Sequence, residues 1–109
     1  MRILAVTLVF LTFGASASDR VHSVKCGSRS VGELLDQGWR VVKSDYLASV
    51  SNDRLVLEDG SVYRADMTSG IFRGDKAILL AKHVRSGKQS GDIYNICAGG
   101  FDAWVSPIR

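Results

Sequence analysis

Proline is almost missing from this chain: Pro107 stands alone in 109 residues. That excludes a proline-rich linker or a polyproline segment. Histidine is nearly as scarce, with only His22 and His83. There is no C-x-x-C pair, no G-x-S-x-G elbow, no H-E-x-x-H helix, no EF-hand loop and no glycine-rich phosphate loop. The proteins those motifs mark are therefore excluded, although a triad assembled from distant residues stays open. No internal repeat is present, and no apolar run reaches the ~20 residues that a membrane-spanning helix needs. The formal net charge is +3, with no long block of one sign. The chain is mildly cationic, not a polycation.

The first residues carry an address. Met1-Arg2 is followed by an apolar run from Ile3 to Phe13 and then by Gly14-Ala15-Ser16-Ala17, which ends in an A-x-A triplet. Charge, short greasy stretch and small-residue cleavage site are the three parts of a secretory signal peptide, here residues 1–17. Cleavage after Ala17 would leave a single secreted domain, 18–109, with no transmembrane anchor and a periplasmic or extracellular location. Its two cysteines, Cys26 and Cys97, then read as one disulfide, since an even count in a small exported domain has that use. The loop so closed would cover most of the domain and contribute about 4 kcal/mol on the chain-entropy model. A zinc set of His22, Cys26, His83 and Cys97 has the right ligand types but no compact spacing. No cofactor is indicated.

The stretch "SVGELLDQGWRVVKSD" (residues 30–45) sets the architecture. Ser30 followed three residues later by Glu33 is a capping-box pattern, Leu34 and Leu35 offer an apolar face, and Gly38 suits a helix stop. About two turns cannot hold alone in water, so the helix must be pinned by packing. Trp39, at the head of the strand that follows, would cover those leucines. Residues 21–26 are a weak strand candidate, and residues 46–50 either extend the strand after Trp39 or begin another. "RLVLEDGSVYRADM" is a hairpin turning at Asp59-Gly60. "DKAILLAKHV" and "DIYNICAG" form a second hairpin around an exposed, mobile loop, Arg85 to Gly91. Ala77 to Lys82 could instead be helical. In "GGFDAWVSPIR", Phe101 to Trp104 could make one helical turn over an open sheet end. Trp104 would either plug the core or form an exposed patch with Phe101. The expectation is an α+β domain: one short N-terminal helix packed on a five- to six-stranded, mostly antiparallel sheet, strongly bent or closed into a small, partly open barrel. Cys26 and Cys97 would tie its first and last strands.

The segments "LVLEDGSVYRAD", "FRGDKAIL" and "IYNIC" together resemble the hairpin pattern of small bacterial β-domain proteins, and "ELLDQGWRVVK" is similar to the helix–Gly-Trp–strand joint of small α/β modules. The resemblance implies hairpin chemistry and no active site.

Charge is the one uneven feature. Between Arg73 and Asp92 lie Arg73, Lys76, Lys82, Arg85 and Lys88 against two carboxylates. A basic hairpin face of this kind can meet another protein or an anionic envelope component, and the leader argues against nucleic acid. The same lysines could merely keep a sheet edge from aggregating. The function expected is a small, non-catalytic binding or inhibitor/immunity-type protein of the bacterial periplasm or exterior. It would use those five cations with Phe101 and Trp104. The alternatives are a small secreted hydrolase using His83, and an accessory subunit of an envelope assembly held by a strand edge.

Overall fold

The computed structural model describes residues 21–108. The signal-peptide reading of residues 1–17 falls outside them. Within them the chain is mostly antiparallel β, with one short helix. Strands β1 (Lys25–Cys26) and β2 (Arg29–Ser30) form a two-stranded ribbon that leads into helix α1 (Val31–Asp36). Only the end of the expected first strand therefore exists. Six strands follow: β3 (Arg40–Val50), β4 (Arg54–Leu57), β5 (Val62–Ala65), β6 (Lys76–Ser86), β7 (Gln89–Ala98) and β8 (Phe101–Pro107). They close into a barrel in the order β3-β4-β5-β8-β7-β6. The barrel is closed where a partly open one was expected.

Two three-stranded meanders, β3-β4-β5 and β6-β7-β8, meet along two seams. Ala65 pairs with Val105 on one, and Arg40 to Tyr46 pair with β6 on the other. With β6 returning to lie beside β3, strands β3 to β6 make a Greek key. β3 is long because it serves two neighbours. Its first half pairs with β6 and its second half with β4, and the register shifts at Val41/Lys43 and again at Leu47/Ser49. Such bulges bend a strand, which lets one segment turn the corner between the meanders.

The interior is filled by side chains, among them Leu47, Leu55, Leu57, Tyr63, Leu79 and Ile96, with Ile71 reaching in from the crossover 66–75. A second buried cluster lies outside the barrel wall. There Ile78, Leu80 and Cys97, on the outer faces of β6 and β7, pack against Val31, Leu34 and Trp39 of the N-terminal segment. Ala77 to Ala81 are all buried. A strand covered on both faces carries a continuous apolar run, which is why "AILLA" reads equally as helix.

Local chemistry explains how the outer layer is held. Ser30 Oγ accepts from the Glu33 N–H at 3.2 Å, satisfying one free donor of the first turn. At the other end Trp39 N–H donates to Leu34 O and Gly38 N–H to Leu35 O, the two bonds of a Schellman stop. Gly38 has φ 98°, which favours glycine. Trp39 is delivered into the outer cluster just ahead of β3, where it covers Leu34 as the spacing suggested. The Cys26–Cys97 disulfide fastens the layer to β7. It joins the first strand to the seventh and not to the last, because residues 101–107 form a further strand in place of the expected helical turn.

Candidate functional site

The β6–β7 ladder outruns the barrel. β3 leaves β6 at Arg40↔Ala81, and β8 leaves β7 at Tyr94↔Val105, yet β6 and β7 stay paired out to Ser86↔Gln89. Residues 82–93 therefore form a two-stranded arm. At ~3.3 Å per residue it reaches about 15–20 Å past the wall. Its turn is the pair Gly87-Lys88, with Gly87 at φ 62°, the two-residue hairpin form with glycine first. The loop expected from Arg85 to Gly91 is thus mostly paired strand.

The arm's electrostatics are lopsided. Its one carboxylate, Asp92, is already engaged. Arg40 Nη2 donates to Asp92 Oδ2 at 2.6 Å, and His83 Nδ1 lies 3.0 Å from Asp92 Oδ1. The Arg40 guanidinium first, and His83 second, hold the Asp92 carboxyl below its ordinary range. Lys82, Arg85 and Lys88 have no carboxylate partner among the described residues. The other two cations of the basic stretch lie elsewhere. Arg73 is in the crossover, and Lys76 opens β6 at the far end of the barrel. Nine residues of extended strand put Lys76 about 30 Å from Arg85. The run of five cations in sequence is three on the arm and two at the opposite end.

Phe101 and Trp104 are also separated. They sit three apart on β8, hence on opposite sides of the sheet. Phe101 is 51% exposed at the rim, and Trp104 is 49% exposed on the outer wall. Trp104 therefore does not plug the core. Its ring meets Trp39 at 5.8 Å and 54°, so half of it packs on the outer layer and half faces water.

A hydrolase needs a nucleophile on the far nitrogen of a base that a carboxylate orients. His83 and Asp92 supply the base and the orienting group. No serine or threonine hydroxyl is hydrogen-bonded to the His83 ring among the described residues. The zinc set considered above cannot assemble as written, since both of its sulfurs are spent in the disulfide. Glu58-Asp59 is structural in effect: Asp59 accepts from Lys43 Nζ at 2.8 Å and from Ser61 N–H at 2.9 Å, clamping the β4–β5 turn onto β3.

One feature escaped the sequence. Where β7 and β8 part, a cleft of about 270 Å³ opens, lined by Asp66, Asp92, Tyr94, Trp104, Ser106 and Pro107. The lone proline was its signal, because proline inside a strand marks an edge or a break in pairing. Comparison with protein families, with curated proteins and with solved structures finds no match to this chain.

Proposed function

We propose that this chain is a small exported binding module of inhibitor or immunity type, which engages an acidic partner protein of the bacterial envelope through the β6–β7 arm. The observation that carries the reading is the arm itself: a paired hairpin extending past the barrel, with Lys82, Arg85 and Lys88 left without acidic partners among the described residues. A projection with unspent charge steers a complementary surface toward it. The Cys26–Cys97 disulfide supports export, because such bonds persist in oxidising compartments. Arg73, Lys76 and Phe101, at the other end of the barrel, fall outside this interface.

The test is capture from envelope extract by the parent protein and by the charge-reversed variant K82E/R85E/K88E. Proteins retained by the parent and lost by the variant are the expected outcome. Identical retention by both, or no retention by either, overturns the reading. The His83–Asp92 contact favours a second reading, a hydrolase with His83 as base. Any activity found in the parent that survives undiminished in H83A removes it.

A further inference from the structure

The cleft beside β7 has a backbone side as well as a side-chain side. In β8, Trp104 O accepts from Asp66 N–H and Ile108 N–H donates to Val62 O, so residues 104, 106 and 108 turn their backbone groups toward β5. Alternation turns those of 103, 105 and 107 toward β7. Position 107, the next rung of the β7–β8 ladder, is proline and has no N–H to give. The ladder stops there, and the two strands separate. On β7 the same alternation leaves the N–H and C=O groups of Ser90 and Asp92 facing the gap, with no backbone partner among the described residues.

The side chains around the gap have a consistent chemistry. Asp66 is exposed, and its carboxylate has no hydrogen-bond or ion-pair partner among the described residues. Trp104 presents a half-exposed ring on the same cleft. A free carboxylate beside an indole face suits a lysine or arginine side chain, which gains charge pairing from one and a cation–π contact from the other. The free edge of β6 carries Arg85, which would repel such a cation.

We propose that the notch between β7 and β8 docks an extended segment of a partner protein, added as a short strand along Ser90 to Asp92, with a lysine or arginine side chain seated between Asp66 and Trp104. Main-chain bonds to an open edge supply affinity, and the pocket supplies selection. The site lies on the β7 edge of the arm, and it uses backbone groups, Asp66 and Trp104 where the reading given above uses Lys82, Arg85 and Lys88.

The probe is an acetylated, amidated peptide, Thr-Val-Lys-Val-Thr, titrated into the protein while backbone amide resonances and tryptophan fluorescence are followed. Expected are shifts at Ser90 and Asp92, exchange protection of those amides, and a fluorescence change from Trp104. The peptide with glutamate in place of lysine should bind at least tenfold more weakly. D66N should weaken the lysine peptide about fivefold, as for one half-exposed ion pair. S90P, which removes one edge donor and leaves the β6 ladder intact, should do the same. K82E/R85E/K88E, which removes cations beside this edge, should bind the lysine peptide at least as tightly as the parent does, so that failure of the arm reading and failure of this one are told apart. No shift at residues 89–93 overturns the proposal. So do equal binding of the two peptides, affinity unchanged in both D66N and S90P, or concentration-dependent shifts at this edge without peptide, which would make a second copy its occupant.

Discussion

Removing the disulfide should separate the two buried clusters of this molecule. Cys26 and Cys97 are 71 residues apart, and the loop they close encloses most of the barrel. On the chain-entropy model the cross-link removes enough freedom from the unfolded chain to contribute about 4 kcal/mol. The double variant C26A/C97A should lose that amount of global stability. For a domain of this size each kcal/mol moves Tm by about 4–8 °C, so a fall of roughly 15–30 °C is expected. A second effect is local. The outer layer is otherwise held by burial of Val31, Leu34 and Trp39, each worth about 1.5–3 kcal/mol, and by short ladders. Without its tether that layer should open before the barrel does. Both tryptophans report it, since Trp39 lies within it and Trp104 touches Trp39. Urea titration of the variant should show the fluorescence transition ahead of the far-ultraviolet dichroism transition, whereas the two coincide in the oxidised parent. A loss below about 1 kcal/mol, or coincident transitions in the variant, would refute the reasoning.

Two further outcomes are expected from side chains inside the structure. Asn95 is 0% exposed, its Oδ1 has no hydrogen-bond partner among the described residues, and its Nδ2 reaches Asp102 only at 3.5 Å. N95L exchanges a poorly satisfied amide for an apolar side chain of similar bulk and should raise stability by about 1 kcal/mol in urea denaturation; a loss would mean that the amide has a partner such as a buried water. Asp59 is held well below the ordinary carboxylate range, first by the Lys43 ammonium and then by Ser61, while Lys43 is raised in return. A depressed carboxyl stabilises the fold above its unfolded value, near pH 4, and that contribution is lost as pH falls through its folded value; the raised Lys43 acts below about pH 10.4 and is lost above it. Tm measured from pH 7 to pH 2 should therefore drop less steeply below pH 4 in D59N than in the parent, with Asp92 supplying the slope that remains. Parallel curves would count against the clamp.

What the sequence made legible was local. The Ser30 cap, the Gly38 stop and the Asp59-Gly60 turn each depend on residues within one turn of one another; the stop formed as read, the cap formed through the Ser30 hydroxyl, and the turn formed with Gly60 alone at positive φ. The five- to six-stranded antiparallel sheet with one short helix on it was also legible, because strand periods and turn residues alternate along most of the chain. The arm was misread as loop for a physical reason. A ladder standing in water buries neither face, so residues 85–91 show none of the apolar alternation by which strands are recognised. β8 was misread because Phe101 and Trp104 stand at helical spacing, whereas the residues that point inward are Ala103 and Val105. Closure of the barrel left no local trace at all, since pairing of Ala65 with Val105 joins residues 40 apart. The same limit hid the site. Asp66, Trp104 and Pro107 come together with Asp92 only because β5, β8 and β7 are neighbours in space.

The two seams of the barrel also set an order of events for the newly made chain. β3-β4-β5 can curl as soon as it exists, but its free edges find β6 and β8 only after the second half has followed. Until β8 arrives there is no ring to shut, and the greasy faces of both halves stay open to whatever holds them. A fold whose keystone is among its last strands shuts late by construction, and the Cys26–Cys97 bond then pins the outer layer to the finished wall.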